Sequence, residues 1–393
     1  MSMVEQKCEH SGEHDGLAAD LGIYLHVPFC KKRCHFCAFY LVLHDQQRME
    51  RFLQAIEREI ALYASQPGMR ERTVSTVYIG GGTPTVLRSG QLATIFSSIR
   101  SGFSLSEQCE ITVEATPESL TDQYADFLRQ AGVTRLSIGV QSFDQQERTT
   151  LGLSGTMAEA ISGVRIAKQA GFSNINLDLI YGIPSQTVQS WEMTLTQALK
   201  LDPSHLSLYS LSLEKGTRFY TEFRRGLFEV MDPDHEACFL QQAENQLEPL
   251  QLFQYELSNW AKPGYACQHN LRYWRGLEYL GLGPSAQSYV AENRFGNVSS
   301  LEHYSKRLGA GQLPIANREL LSRAQQDKER IVFGLRLLEG VPIDWVQRAS
   351  QDEVWATSFE AMVNEDYLFQ TDTGVHLTQK GRRFADTVGM RLL

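Results

Sequence analysis

No run of apolar residues in this chain approaches the ~20 needed to cross a bilayer as a helix. The opening stretch, MSMVEQKCEHSGEHDGLAAD, lacks the basic-then-apolar layout of a secretory signal. A basic excess is missing too: 37 Lys and Arg face 46 Asp and Glu, for a net charge of −9. That balance argues against a nucleic-acid groove, so no nucleic-acid partner is expected. These absences predict a cytoplasmic protein, in a compartment that keeps thiols reduced. Cysteine is scarce and odd in number, seven in 393 residues, with three clustered. Such a count fits a metal or cluster site better than a disulfide framework. A chain of this length buries a core without such staples, and its composition, 42% hydrophobic and 21% charged, is that of a soluble globular protein.

From Gly22 onward, short apolar, β-branched runs alternate with longer helical patterns. Strands are predicted over 22–29, 76–82, 110–116, 134–140, 174–182 and 205–212. Helices are predicted over Gln46–Ala64, Gly90–Arg100, Leu120–Gln130, Met157–Ala170 and Val188–Leu201. In LTDQYADFLRQAG, for example, Leu120, Tyr124, Phe127 and Leu128 share a face and Gly132 stops the helix. Six strand–helix units imply parallel strands with crossover helices. Six are too few for a closed eight-fold barrel. The expected fold class is therefore α/β, a partial six-stranded TIM-like barrel with its mouth at the strand C-termini. The expected division has a polar, disordered tail at 1–20, the barrel at 21–235, an irregular aromatic-rich extension at 236–315, and a small winged-helix-like α+β unit at 316–393. Within the extension, 258–288 reads as irregular. The last unit is predicted to hold helices at Ala324–Leu338, near Ile343–Gln347 and near Glu353–Glu365, then a hairpin in LFQTDTGVHLT.

Cys30, Cys34 and Cys37 stand in LHVPFCKKRCHFCAFY with the spacing C-x₃-C-x₂-C, just past the first strand. A [4Fe–4S] cluster held by protein alone takes four cysteines. Three leave one iron open to a small molecule. Zinc is the alternative, but it closes with a fourth ligand, and neither His26 nor His35 stands at a usual zinc spacing. Other candidates lie at the ends of successive strands. The glycines of GGGTPT (80–85) let backbone approach a ligand closely, or simply form a tight turn. Glu114, Gln141 and Asp178 end the third, fourth and fifth strands, where polar side chains face a barrel mouth. Each alone could cap a helix; three in register beside a cysteine loop point to a site. Cys8, His10 and His14 read as incidental or as a weak metal site, and Cys109 and Cys238 as packing residues. Arg382 and Arg383 are offset by Asp352, Glu353, Glu360 and Glu365, so the C-terminal unit shows no basic face.

With an aromatic, Phe36, before the last cysteine, this loop resembles the signature of the radical S-adenosylmethionine (SAM) superfamily. YLHVPFC, GGGTPT, VEATPE, RLSIGVQSFD and NLDLIYGIPSQT look like the branch that contains oxygen-independent coproporphyrinogen III oxidase and the HemW-type heme chaperones. The similarity runs from about residue 22 to the end. It implies a [4Fe–4S] cluster on Cys30, Cys34 and Cys37. It also implies SAM contacted by Tyr24, Phe36, Gly81, Gly82, Thr83, Glu114, Gln141 and Asp178. The oxidase carries a further cysteine where this chain has Phe39. HemW-type proteins instead carry H-N-x-x-Y-W, here HNLRYW. That motif implies a heme-associated region at His269, Asn270, Tyr273 and Trp274, with Cys267 as an alternative thiolate ligand. From the residues alone, these side chains equally satisfy an irregular loop and a core. Three positions depart from the relatives: Ala38 replaces an Asp, Leu153 replaces an Arg expected to meet the SAM carboxylate, and Gln287 replaces a His.

The resemblance implies a heme chaperone that passes heme to a client. The alternative is an oxygen-independent coproporphyrinogen oxidase or another radical enzyme acting on a tetrapyrrole; a cluster-bearing winged-helix regulator is a second alternative. Implied partners are heme or a tetrapyrrole, a client apo-hemoprotein, an electron donor and, through the client, the periphery of a membrane.

Overall fold

In a computed structural model, residues 20–393 are described; Cys8, His10, His14 and nearly all of the polar tail lie outside the described residues. Six parallel strands form the barrel wall: β1 (Asp20–Val27), β2 (Thr73–Gly81), β3 (Ser104–Ala115), β4 (Arg135–Gln141), β5 (Asn174–Tyr181) and β6 (His205–Ser210). Each pairs with the next in order. Helices α1 (Gln46–Ala64), α2 (Ser89–Gly102), α3 (Asp122–Gln130), α4 (Gln145–Leu151), α5 (Met157–Gln169) and α6 (Val188–Lys200) fill the crossovers.

Strand alternation explains the architecture. Leu21, Ile23, Leu25 and Val27 of β1 are fully buried in the apolar core, as are Leu136, Ile138 and Val140 of β4. Burying each such side chain contributes about 1.5–3 kcal/mol. The intervening residues are polar or glycine, in contrast to the continuous apolar runs usual in doubly covered parallel strands. Thr76, Tyr78, Glu110, Glu114, Ser137, Asn176, Asp178 and His205 fill that other face beside the buried Arg135 and join in hydrogen-bonded networks, such as His205 Nδ1 to Asn176 Oδ1 at 2.6 Å and Asn176 Nδ2 to Ser137 Oγ at 2.8 Å. A polar interior is costly unless satisfied, and it marks the barrel as the wall of a site.

After α7 (Arg218–Arg224) and α8 (Pro233–Leu247), the structure differs from expectation. The stretch 258–288 is not irregular. Two strands, β7 (Phe253–Glu256) and β8 (Asn259–Ala261), continue the sheet antiparallel beyond β6. Helix α9 (Gln268–Trp274) follows, and then β9 (Tyr279–Leu282), parallel to β1 on its other side. β10 (Gln287–Val290), β11 (Asn293–Asn297), α10 (Leu301–Gly309) and β12 (Ile315–Leu320) complete it. Among the described residues the main sheet has twelve strands, ordered β12-β11-β10-β9-β1-β2-β3-β4-β5-β6-β8-β7. Elements of three to seven residues are too short to show a readable period, and the turn glycines Gly276 (φ 62°) and Gly283 (φ 96°) masked the strand β9 between them.

The C-terminal unit starts beyond β12 rather than at 316. It holds α11 (Arg323–Gly334), β13 (Val341–Pro342), α12 (Ile343–Ala349), α13 (Glu353–Asn364), β14 (Leu368–Gln370), β15 (Gly374–Leu377), α14 (Gln379–Arg383) and α15 (Ala385–Leu392). The expected hairpin, β14 and β15, gains β13 as a third strand. α11 ends before Leu338 because the next residues pair with the main body: Leu337 bridges Glu256, and the Leu338 amide donates to Tyr255 O at 3.1 Å. Ile331, Trp355, Phe359, Met362 and Val375 form a separate core.

Candidate functional site

The three-cysteine loop leaves β1 and is pinned on both sides. His26 Nε2 donates to Tyr40 O at 2.9 Å while its Nδ1 accepts from Tyr24 OH at 3.1 Å. His35 Nδ1 donates to Thr150 O at 2.8 Å, and its Nε2 accepts from Arg218 Nη1 at 3.0 Å. Neither imidazole has a nitrogen to spare for a metal. Phe29 and Cys30 pair in parallel with Val42 and Leu43, closing the loop. Among the described residues, no three His, Cys, Asp or Glu side chains converge on a point where one ion would sit. Zinc draws thiolates to ~2.3 Å from a single centre, whereas a cluster takes each on a separate iron. With both imidazoles engaged, the loop offers three thiols and no fourth ligand, the donor count of a [4Fe–4S] cluster with one open iron. Burial pushes all three thiols up, Cys34 to about 12, so iron must displace protons.

A cavity of about 510 Å³ opens beside this loop at the strand C-termini. The three cysteines, Phe36, Gly81, Gly82, Thr83, Glu114, Gln141 and Asp178 all line it. Tyr24 does not; it lies beneath, bonded to His26. Glu114 accepts from Tyr78 OH at 2.9 Å and from the Gly81 amide at 3.0 Å. Burial, reinforced by the Asp178 charge, pushes Glu114 up to about 7. Asp178 accepts from Asn176 Nδ2 at 2.9 Å and Ser137 Oγ at 3.2 Å, and burial raises it as well. Gln141 has φ 69°, a left-handed conformation that costs a non-glycine residue about 1–3 kcal/mol. Strain of this kind collects at functional sites.

Gly82 is required by contact. A Cβ there would lie 2.6 Å from Phe29 O, in the backbone just before Cys30. Gly82→Ala is expected to displace the loop and cut iron loading at least two-fold, read by iron content after anaerobic reconstitution; full loading would contradict this geometry.

Tyr78, Glu118, Ser137, Arg148 and Tyr209 also line the cavity and were not singled out by sequence. Tyr78 was legible, since it alternates in step with Gly80 on β2. Arg148 gave no signal, because α4 is a seven-residue helix without a clear period. A neighbouring cavity of about 650 Å³, between the barrel rim, α8 and the C-terminal unit, shares Tyr209, Ser210 and Ser212 with the first.

The H-N-x-x-Y-W residues lie elsewhere, and none lines the 510 Å³ cavity. Glu110 receives the Gln268 and His269 amides at 3.1 Å each, anchoring the start of α9. Glu110 and Glu114 share a face of β3 four residues apart, so ~13 Å separates this anchor from the cavity. His269 is 1% exposed, with Nδ1 bonded to Thr76 Oγ1 at 2.8 Å and Nε2 to Tyr273 OH at 2.9 Å. Burial, helped by Arg272, pushes it down to about 3, so the ring is neutral. Burial likewise pushes the Cys267 thiol up to about 12. Tyr273 packs edge-on to Tyr279 with ring centres 4.6 Å apart, Arg336 covers Trp274, and Asn270 is half-buried. The motif plugs the barrel end opposite the mouth.

A sequence profile of the radical SAM superfamily matches residues 24–198, and one of the HemN C-terminal domain matches 321–384. The heme chaperone HemW of Mycobacterium tuberculosis is 34% identical over 375 residues, 95% of this chain and 94% of that protein. The chain belongs to the HemW family. HemW proteins of Bacillus subtilis and Escherichia coli are each 31% identical, covering 93% and 94% of this chain and 97% of each relative. Membership in the HemW family accounts for both halves of the fold. The solved coproporphyrinogen III oxidase HemN of Escherichia coli superposes with a TM-score of 0.83, over 97% of this chain and 93% of that one, at 24% identity, which speaks to fold. Leu153 and Ala38 both line the cavity.

Proposed function

We propose that the protein binds heme and delivers it to a client apo-hemoprotein. The observation that carries this reading is similarity along nearly the whole chain to proteins named heme chaperones. In this reading Cys30, Cys34 and Cys37 hold a [4Fe–4S] cluster, and SAM enters the adjoining cavity against Phe36, Gly81, Gly82, Thr83, Glu114, Gln141 and Asp178. The bound cluster supplies an open iron and an electron taken from a donor. Acidic groups around the cavity suit the cationic parts of SAM, while Tyr24 acts indirectly by orienting His26. The protein works in the cytoplasm and meets a membrane only through its client.

Decarboxylation of a porphyrinogen is the second reading. Phe39, 66% exposed at the cavity, stands where the resembling oxidase has a cysteine, which favours the chaperone.

Heme-loaded protein mixed with an apo-globin is expected to transfer heme, seen as replacement of one Soret band by the globin's; heme that stays put, or never binds, contradicts the proposal. Because both His269 nitrogens are already bonded, heme ligation by His269 would require breaking one bond. His269→Ala is therefore expected to lower stability by about 1–3 kcal/mol through the orphaned Thr76 and Tyr273 hydroxyls, yet leave the Soret maximum of bound heme in place. A shifted maximum would identify His269 as the iron ligand.

A further inference from the structure

Four carboxylates, Glu114, Glu118, Asp178 and Glu214, line the cofactor cavity, yet one cation in its wall is buried: Arg148, 2% exposed. Lys31 and Lys32 also reach the cavity but are exposed on the loop. The Arg148 guanidinium forms no ion pair with a carboxylate among the described residues. Nη1 donates to Val140 O at 2.8 Å and Ser142 O at 3.0 Å, and Nη2 donates to Ser154 O at 3.1 Å. Of its five N–H donors, two remain uncommitted, including the buried Nε. Burial works against its charge, and Glu118 and Glu159 offset this only in part. A buried guanidinium without a counter-charge is costly, and in a cleft it marks a place for an anion.

Its position adds to the argument. Ser154 directly follows Leu153, which has joined an apolar cluster with Phe36, Ile180 and Leu211. α4 thus brings a guanidinium, from five residues earlier, to the stretch of wall where Leu153 offers no charge. The two carbonyls held by Nη1 flank Gln141, so the same side chain also braces that strained residue.

We propose that Arg148 receives the carboxylate of the amino-acid part of SAM, in place of an arginine at 153. The proposal rests on the SAM reading above. SAM is zwitterionic at its amino-acid end and cationic at sulfur; the acidic groups answer its positive charges, and Arg148 its single negative one.

The test compares SAM with decarboxylated SAM, by calorimetric titration of the cluster-loaded chain. Arg148→Leu is expected to weaken SAM binding ~10- to 100-fold, the range of a charge-assisted hydrogen bond. Decarboxylated SAM should change less than ~3-fold. Arg148→Lys, which keeps the charge but not the planar fork, should lose part of the same preference, and it decides the matter if the leucine variant does not fold. Arg148→Leu combined with Leu153→Arg should regain affinity for SAM alone. Equal weakening of both ligands would show a purely structural arginine and overturn the proposal, as would no change in either. Failure of the unaltered protein to bind SAM at all would instead overturn the underlying SAM reading, and this proposal with it.

Discussion

Cys34→Ser protein, prepared and reconstituted without oxygen, is expected to keep its fold and lose its cluster. The loop does not depend on its thiols for shape. His26, His35 and the short ladder from Phe29–Cys30 to Val42–Leu43 hold it from both ends. Removing one of three thiolates therefore leaves the backbone in place and strips an iron of its anchor. Iron should fall from about four per chain to below about one, and the visible charge-transfer absorption should vanish. The thermal midpoint of the metal-free protein should move by no more than a few degrees. A single zinc ion per chain in the unaltered protein, retained after cysteine replacement, would contradict the cluster assignment.

Glu59→Ala is expected to destabilise the protein by about 3 kcal/mol or more, the second large effect. Glu59 lies on α1 with no exposed surface, and its carboxylate accepts three hydrogen bonds from distant parts of the chain. The donors are the Gly283 amide at 2.7 Å, Asn297 Nδ2 at 2.6 Å and Tyr304 OH at 2.5 Å. They belong to the β9–β10 turn, β11 and α10, so one side chain ties the barrel to the sheet extension beyond β1. Truncation orphans all three donors, at about 1–3 kcal/mol each before relaxation. Urea unfolding at pH 7 measures the loss, and a change below about 1 kcal/mol would contradict the tie.

The same residue sets a pH dependence. Burial pushes Glu59 up to about 7, with the three hydrogen bonds opposing the rise, from an ordinary value of 4.5. The folded state then holds this proton more tightly than the unfolded chain. Its contribution is fully present below about pH 4.5 and is lost as pH rises through about 7. A rise of that size corresponds to about 3 kcal/mol. The stability difference between the unaltered protein and Glu59→Gln should accordingly vary between pH 4.5 and 7 and flatten above it.

What could be read from sequence follows from element length. The six barrel strands and five long helices carried periods that their residues could not hide, and the strands lie within a few residues of their predicted ranges, except that β3 starts at Ser104, six residues before the predicted 110. The cavity was legible for a related reason: Glu114, Gln141 and Asp178 lie in the C-terminal halves of successive strands, and parallel strands in order must bring those halves together. The extension was opaque, because β8, α9 and β9 are too short to show alternation or a helical face. The place of the H-N-x-x-Y-W motif in the fold was not legible. Its composition suits a ligand site and a packed plug equally, and only the Thr76 and Tyr273 bonds to His269 and the Glu110 anchor reveal the plug. Arg148 was hidden for another reason. Among the described residues its guanidinium has no carboxylate partner, and that is visible only once the wall around it is assembled.

The central claim is that this chain carries heme rather than converting a porphyrinogen. It is tested most directly by supplying the cluster-loaded, reduced protein anaerobically with SAM and either heme or coproporphyrinogen III, then following both by chromatography and absorption. The expected result is stoichiometric, transferable binding of intact heme, with coproporphyrinogen III recovered unchanged. Decarboxylation of coproporphyrinogen III with consumption of SAM would contradict the account and make the protein an enzyme of tetrapyrrole synthesis.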